Sequence, residues 1–279
     1  MSGCQTDEQI EKTAMTYSVF GRVSPYQKKK LIQSFQKQGK TVAMTGDGVN
    51  DVLALREADC SIAMAEGSDA ARQVSQLVLL NSDFTALPDV LAEGRRAVNN
   101  VTRVAGVFFV KTVYSVLLSI ACILLNIPFP FIPIQITLID LFIEGYPAFF
   151  MSFEPDNHKI TEPFLRSSLR RAFPNALTIL LDIFLVLFLA PKIGFSALDT
   201  NTVMYTLIGF TEILAVYKAC IPFNKLRIFL CISMTVGFFT AAFLFRSILH
   251  LGVLSAQPLL FAAGLALLSV LLERSFTFI

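Results

Sequence analysis

The sequence KTVAMTGDGVND, residues 40–51, joins a short apolar stretch with the pattern of a buried strand to a loop of two aspartates and two glycines. Gly46 and Gly48 permit backbone turns that larger residues resist. Asp47 and Asp51 supply hard oxygen ligands, which suit magnesium bound together with phosphate oxygens. The loop therefore indicates phosphate and magnesium chemistry. The spacing alone is equally compatible with a tight turn whose aspartates only cap the next helix.

The first hundred residues alternate between strand and helix patterns. Helix signals stand between the strands: Ser24 as an N-cap with Pro25 in the first turn, Gly39 as a stop, and Ser68 as a second N-cap. The predicted strands are YSVFGRV (17–23), TVAMT (41–45), CSIAM (60–64) and LVLL (77–80). This alternation predicts a parallel, Rossmann-like α/β sheet. Ligands bind at the carboxyl ends of such strands, where the acidic loop lies.

The composition is that of a membrane protein. Of the 279 residues, 54% are hydrophobic and 16% charged, and the mean hydropathy is +0.62, whereas about a quarter of the residues in soluble domains are charged. Most charged residues fall within residues 1–103. The net charge of +2 gives no reason to expect a nucleic-acid partner.

Cysteine usage argues against two classes of protein. The five cysteines contain no C-x-C or C-x-x-C pair, so we expect neither a zinc site nor a disulfide framework. The first residues, MSGCQTDEQIEK, contain no apolar core. We therefore expect the N-terminal part to remain in the cytosol.

Six apolar segments follow, at 104–126, 134–152, 173–191, 202–219, 228–246 and 254–272. Each is close to the ~20 residues that cross a hydrocarbon core. An even number returns the C-terminus to the side of the first segment. Basic residues follow the second and fourth segments (Lys159, Arg166, Arg170, Arg171, Lys218, Lys225 and Arg227), while NIPFPFIP after the first has no charge. The positive-inside pattern therefore predicts six transmembrane helices with both termini in the cytoplasm.

Asp140 and Glu144 lie within the second apolar segment, where lipid makes charges expensive. Four residues apart, they fall on one face of a helix. Pro133 before them and Gly145 and Pro147 after them can loosen the helix and free carbonyl oxygens. Carboxylates with carbonyls and hydroxyls predict a hard-cation site. The alternative is a structural hydrogen-bond network between helices.

Two long motifs closely resemble the hinge and phosphorylation-domain motifs of P-type ATPases: FGRVSPYQKKKLI (20–32) and VAMTGDGVNDVLALREADCSIAM (42–64). The resemblance extends to NNVTRV (99–104) and PIQITLIDLFIEGYPA (133–148). It implies a haloacid dehalogenase-like α/β domain, residues 1–94, followed by a stalk and six-helix transmembrane domain, residues 95–279. It also implies magnesium as cofactor, ATP as substrate of the complete pump, and a transported cation, with calcium favoured.

The resemblance assigns roles residue by residue. Asp47 becomes the magnesium ligand and Asp51 its partner in ordering the site. Lys28 and Asn50 contact the phosphoryl group, and Thr45 and Gly46 complete the phosphate cradle. The implied ligands of the transported ion are Thr112, Ser115, Asp140, Glu144 and Glu212.

Several features depart from the family pattern. The phosphorylated aspartate in Asp-Lys-Thr-Gly-Thr is absent, because no aspartate in the chain precedes a lysine. We therefore expect a C-terminal portion of a pump, needing the missing N-terminal part and inactive alone. Ser115 stands where some calcium pumps have an acid. Lys111, one turn away, is expected either to pair with Asp140 or Glu144 or to extend toward the membrane surface.

Other ionisable residues and other functions complete the predictions. We interpret Asp182 as an interhelical hydrogen-bonding residue, and His158 and His250 as inert. One alternative function is a membrane-anchored phosphatase, for which Asp7 is the only N-terminal candidate nucleophile. Another is a non-catalytic membrane remnant or one half of a split pump. The expected location is a bacterial cell membrane.

Overall fold

The computed structural model describes Met1 and residues 6–277, so Cys4 lies outside the described residues. The four described cysteines are free thiols. The chain forms two compact units, Met1–Leu91 and Ala92–Ile279.

The first unit is built around a three-stranded parallel sheet. Its strands are β1 (Ala43–Gly46), β2 (Cys60–Met64) and β3 (Leu77–Leu79), in that spatial order. Helices α1 (Asp7–Thr16) and α2 (Pro25–Lys37) precede β1, a 3-10 turn (Val49–Asp51) and α3 (Val52–Glu57) connect β1 to β2, and α4 (Asp69–Val74) connects β2 to β3. Gly46, the last residue of β1, pairs with Ala63 of β2. The predicted α/β sheet is confirmed, with the acidic loop at the carboxyl end of β1.

Local helix signals are also confirmed. The Ser24 hydroxyl accepts a hydrogen bond from the Gln27 amide, and the Gln27 side chain accepts one from the Ser24 amide at 3.0 Å, so α2 begins with a capping box. Gly39, two residues beyond α2, has a φ of +75°. Ser68 caps α4 by accepting from the Ala71 amide. These signals depend on local backbone geometry, which the sequence specifies directly.

The predicted strand at 17–23 is wrong. This segment is irregular, and Arg22 has a φ of 52°, which interrupts an extended chain. Phe20 and Val23 instead pack on a small cluster containing Ile10 and Leu31. Helix α1, which contributes Ile10, was not predicted, although Thr6 and Gln9 form a capping box at its start.

The second unit is a bundle of long helices. It contains most of α5 (Leu87–Leu125), followed by α6 (Pro133–Ile139), a π-helical turn (Asp140–Gly145) and α7 (Tyr146–Met151), and then by α8 (Phe164–Ile193), α9 (Ala197–Ala219), α10 (Lys225–Leu244) and α11 (Ala256–Thr277). The segment Pro133–Met151, with its π-helical turn, is continuously helical.

Among residues 1 and 6–277, five helical segments are long and apolar enough to cross a membrane: Phe84–Leu125, Pro133–Met151, Phe164–Ile193, Lys225–Leu244 and Ala256–Phe276. Helix α9, the fourth predicted segment, is not among them. Its 23 residues reach about 35 Å, which is sufficient length. However, 13 of those 23 residues are buried, so α9 packs mainly against protein and can contain polar residues that lipid would exclude.

Side-chain contacts show in which direction several helices run through the bundle. At one end, which we call the charged end, Glu154 after α7 binds Arg103 of α5 at 3.2 Å and Arg227 of α10 at 2.7 Å. At the opposite end, Gln135 of α6 donates to the Leu249 carbonyl after α10 at 2.9 Å, and the Tyr205 hydroxyl of α9 donates to the Gln135 carbonyl at 3.2 Å. Helix α9 therefore starts at the opposite end and runs toward the charged end, so it passes through the bundle like its neighbours.

Asp182 of α8 makes the interhelical contacts predicted for it. Its Oδ2 atom accepts hydrogen bonds from Ser269 of α11 at 2.8 Å and from Thr211 of α9 at 3.4 Å. The side chain is 1% exposed. Asp182 thus links three helices within the bundle.

Candidate phosphate and ion sites

The loop after β1 is held by close packing between Gly46 and Asp51. A Cβ atom at Gly46 would lie 2.5 Å from Asp51 Cβ and 2.7 Å from Asp51 Cγ. Real Cβ atoms essentially never show such short distances, so a side chain at this position would force the loop to shift. The absence of a side chain lets the start of α3 fold back against the end of β1.

Asp51 forms an ion pair with Lys28 of α2. The Lys28 Nζ atom lies 2.6 Å from Asp51 Oδ1, and the Gly48 amide donates to Oδ2 at 3.2 Å. Burial alone would raise the Asp51 pKa, but the Lys28 and Gly48 hydrogen bonds outweigh it and hold the pKa below its ordinary value of 3.8. Asp51 is therefore an ionised, positioned carboxylate that connects α2 to the loop.

Asp47 is the first residue after β1, and its side chain is exposed. Its backbone is fixed from the neighbouring loop, because the Ser68 amide donates to the Asp47 carbonyl at 2.7 Å. A Cβ atom at Gly67 would lie 2.7 Å from that same carbonyl oxygen. The sequence analysis did not predict that Gly67 and the Ser68 amide contact the Asp47 backbone. The feature that could have indicated it is a glycine shortly after β2, at the same edge of the sheet as the acidic loop.

The other predicted phosphate residues lie around this loop. Asn50 is exposed, and Thr45 is half-buried in β1. Among residues 1 and 6–277, no hydrogen bond or ion pair joins the Asp47 carboxylate to another side chain. The donor set fits magnesium, because one free carboxylate at the end of a strand leaves coordination positions for water and phosphate oxygens.

Asp7, the candidate nucleophile of the phosphatase alternative, lies in the first turn of α1 rather than on a strand. Its carboxylate pairs with Lys30 at 2.7 Å. This placement does not match the strand-borne aspartate that the alternative needs.

The intramembrane cluster is centred on Lys111 of α5. Its ammonium group contacts the Asp140 carboxylate and lies 2.9 Å from Glu144 Oε2. The Glu144 side chain is 1% exposed and that of Asp140 is 43% exposed. Of the two expectations for Lys111, pairing with the acids is the one found.

Glu212 of α9 faces the same cluster. Its side chain is 2% exposed, and it lies close enough to Glu144, Lys111 and Asp140 for electrostatic interaction. The hydroxyl of the fully buried Tyr114 faces Glu212 without the geometry of a regular hydrogen bond. Tyr114 was not predicted as part of this cluster. The feature that could have indicated it is a hydroxyl group within an apolar segment, three residues after Lys111.

The π-helical turn spans Asp140–Gly145 and so contains both predicted acids. π-Helical turns are rare in proteins, and those that occur are often found at functional sites. A Cβ atom at Gly145 would lie 3.0 Å from the Asp140 carbonyl oxygen. Pro147 lacks an N–H group, so one upstream carbonyl loses its helical donor. The helix is therefore distorted at Gly145 and next to Pro147, where the sequence predicts that it is loosened.

The structure does not bring Thr112 into the cluster. Thr112 is exposed, and its hydroxyl donates to the Phe108 carbonyl of its own helix at 3.3 Å. Ser115 is half-buried, one turn along α5 from Lys111. In the part of the chain that the structure describes, no group of three or more His, Cys, Asp or Glu side chains is arranged to hold a metal ion.

Part of the first unit matches a known protein family. The family model of haloacid dehalogenase-like hydrolases matches residues 5–59. The match includes α2, β1 and the whole acidic loop.

The full chain has relatives among cation-transporting ATPases. It is 48% identical over 265 residues to the "Probable cation-transporting ATPase exp7" of Streptococcus pneumoniae, covering 91% of this chain and 34% of that protein. It is 48% identical over 183 residues to the "Calcium-transporting ATPase CtpE" of Mycobacterium tuberculosis, covering 62% of this chain and 23% of that protein. It is 35% identical over 144 residues to the "Calcium-transporting ATPase" of Bacillus subtilis, covering 51% and 16%.

The chain is therefore a relative of the P-type cation-transporting ATPases and matches a C-terminal portion of them, with a haloacid dehalogenase-like part and membrane helices. It spans about a third of the length of the first of these relatives. The resemblance drawn from the motifs is confirmed, and the pump interpretation is supported over the phosphatase and the non-catalytic remnant. The chain is an integral membrane protein.

Proposed function

We propose that the chain supplies the magnesium-binding half of the phosphorylation site and much of the intramembrane ion site of an ATP-driven cation pump. The observation that carries this proposal is the pair of buried acids in the bundle. Glu144 Oε1 and both Glu212 carboxylate oxygens have no hydrogen-bond partner among the described residues. Buried carboxylate oxygens without donors are costly unless they bind a proton or a cation.

At the phosphate site, Asp47 would hold the magnesium ion, which supplies charge neutralisation at phosphate oxygens. Lys28 orients Asp51, and Asp51 in turn fixes the Gly48 amide. Asn50 would donate a hydrogen bond to a phosphoryl oxygen. Because no Asp-Lys pair occurs in the sequence, we propose that the phosphorylated aspartate lies on another part of the pump and that this chain alone does not hydrolyse ATP.

At the membrane site, the transported cation and the Lys111 ammonium compete for Glu144 in this proposal. Lys111 already occupies the side of Glu144 that faces Asp140. Calcium is favoured as the transported ion, because two of the relatives named above are called calcium-transporting and carboxylates are hard ligands. Magnesium, manganese, protons and monovalent cations are the alternatives.

Helix α5 provides the coupling element of the proposed pump. It runs for 39 residues, from Leu87 to Leu125, or about 58 Å, and contains Lys111. We propose that a shift of this helix alters how Lys111 pairs with Asp140 and Glu144. The alternative is a plain tether.

We propose a bacterial cell membrane as the location, with both termini in the cytoplasm. Cationic residues collect at the charged end of the bundle, including Arg103 and Arg227. Loops rich in Lys and Arg remain on the cytoplasmic side.

The experiment is phosphoenzyme formation by the complete pump reconstituted in lipid, with ATP and a series of cations. Asp47→Ala is expected to abolish the phosphoenzyme, whereas Asp89→Asn, a change to an acid outside the loop, is expected to retain it. Glu144→Gln is expected to weaken the cation dependence of phosphorylation. Normal phosphoenzyme in Asp47→Ala would refute the phosphate site, and an unchanged ion dependence in Glu144→Gln would refute the ion site.

A further inference from the structure

A cavity of about 1170 Å³ lies at the charged end of the second unit. Its walls come from the start of the apolar part of α5, the loop before α8, the start of α8, and the ends of α9 and α11. All of these are positions where apolar stretches begin or end. The cavity therefore lies at the boundary between the hydrocarbon-spanning part of the bundle and the polar residues beyond it.

The walls of this cavity are amphipathic. Apolar side chains form one part of the lining, with Val107, Phe173, Leu177 and Phe276 among them. Charged side chains form another part and include five cations, namely Arg103, Lys159, Arg170, Arg171 and Lys218. A ligand that fills the cavity needs both an apolar part and an anionic part.

Three of the five cations are neutralised by carboxylates that also line the cavity. Arg103 pairs with Asp156 at 2.5 Å, Arg170 pairs with Glu162 at 3.3 Å, and Lys218 pairs with Glu273. For the other two, Lys159 and Arg171, the described residues provide no ion pair. Arg171 packs its side-chain stem near Gly106 of α5, where an added Cβ would lie 3.4 Å from Arg171 Cβ.

A buried polar group provides an independent observation. Asn175, which also lines the cavity, is 3% exposed. Its Nδ2 atom donates to the Arg171 carbonyl at 3.3 Å, but its Oδ1 atom has no donor among the described residues. A buried amide oxygen of this kind favours a ligand that carries a hydroxyl donor.

We propose that this cavity binds an anionic glycerophospholipid with a hydroxyl-bearing headgroup. Lys159 and Arg171 bind the phosphate, Asn175 accepts a hydrogen bond from a headgroup hydroxyl, and the apolar wall contacts the upper part of an acyl chain. Basic pockets between transmembrane helices at the membrane surface are suited to such headgroups. The proposal does not depend on transport.

The experiment measures lipid binding to the purified, delipidated full chain in detergent by native mass spectrometry. Phosphatidylglycerol and phosphatidylcholine of matched acyl chains are the probes. The unmodified chain is expected to retain phosphatidylglycerol preferentially. Lys159→Gln combined with Arg171→Gln is expected to weaken that binding roughly 30-fold, since each cation near an anionic lipid contributes about a factor of five.

The matched control is Lys192→Gln combined with Arg246→Gln, which removes one cation in the last turn of α8 and one beyond the end of α10, at the opposite end, and is expected to leave binding unchanged. Lys159→Gln alone, in an exposed loop, keeps the test valid if the double variant does not fold. Asn175→Leu is expected to remove the preference for phosphatidylglycerol over phosphatidic acid, which lacks headgroup hydroxyls.

Two results would overturn the proposal. One is equal retention of phosphatidylglycerol and phosphatidylcholine by the unmodified chain. The other is displacement of phosphatidylglycerol by inorganic phosphate at comparable concentration, which would make the cavity a site for free anions.

Discussion

The Lys111 ammonium nitrogen lies 2.9 Å from Glu144 Oε2 and also contacts the Asp140 carboxylate, so one cation of the chain serves two acids on the facing helix. Because one ammonium neutralises at most one carboxylate, ionisation of both acids would leave a negative charge in an apolar bundle. A proton or a further cation can balance that charge. Lys111 thus sets how strongly the cluster attracts an external ion.

Replacing Lys111 tests this competition. In Lys111→Met the apolar stem is retained while the charge is lost, so an added cation gains access to Glu144. We expect saturating calcium to raise the unfolding temperature of the detergent-solubilised variant, with about 2.7 kcal/mol of stabilisation at a hundred times Kd, and to affect the unmodified chain less. Lys111→Met combined with Glu144→Gln should lose the effect. A variant stabilised by none of calcium, magnesium, manganese or potassium would contradict the competition.

Gly46→Ala tests the packing of the acidic loop. The added methyl group would lie 2.5 Å from Asp51 Cβ, so the loop must shift and the first unit should lose about 1–3 kcal/mol of unfolding free energy. Gly94→Ala is the control, because nothing lies within 4 Å of a Cβ there and alanine favours a helix by about 0.5–1 kcal/mol. Hydrogen exchange of the β1 and α3 amides measures the difference. Equal protection in the two variants would mean that the close approach does not constrain the loop.

The ion pair between Lys28 and Asp51 should make the first unit sensitive to acid. Because the folded state holds the Asp51 pKa below 3.8, this carboxylate stabilises the fold at higher pH and loses that contribution as the pH falls through the lowered pKa. Thermal unfolding measured from pH 7 to pH 3 should decline less steeply for Asp51→Asn. Asp69→Asn, at a side chain that is 81% exposed, should follow the unmodified chain. Parallel curves for Asp51→Asn and the unmodified chain would exclude this contribution.

Asp182 is expected to stabilise the bundle without binding the transported ion. Asp182→Asn keeps a polar group against Ser269 and Thr211, so the unfolding temperature should change little, whereas Asp182→Ala leaves two buried hydroxyls without this partner and should cost about 1–3 kcal/mol. The cation dependence of phosphorylation in the complete pump should be the same for Asp182→Asn and the unmodified protein. An altered ion dependence would place Asp182 in the transport path.

The sequence predicts best where a feature is set by neighbouring residues. Ser24, Pro25 and Gly39 fixed the limits of α2, and the four-residue spacing of Asp140 and Glu144 correctly placed both acids toward one partner. The strand predicted at 17–23 failed because the left-handed backbone of Arg22 and the packing of Phe20 overrode a strand-like composition. Whether Lys111 paired or extended outward could not be decided from sequence, because the answer depends on which helix faces α5.

The acidic loop also combines a feature that neighbouring residues predict with one that depends on the packing of distant residues. Its position after a strand followed from local pattern, whereas the contact between Gly67 and the Asp47 backbone joins residues 20 positions apart and required the register between β1 and β2. The position of Glu212 near the cluster likewise depends on the packing of α9, which the sequence does not give. The roles assigned to Asp47, Asn50, Thr112 and Ser115 are still predictions.

Helix α9 shows what hydropathy measures in a polytopic protein. Helix surfaces that face lipid tails are apolar, whereas a helix that is enclosed by other helices has little contact with lipid. Counting only the long and highly apolar helices among the described residues gives five crossings, whereas counting α9 as well gives the six that the sequence predicts, and the two counts put the end of α11 on opposite faces of the membrane. A tag, protease site or antibody epitope placed near the end of α11 would therefore distinguish the two topologies.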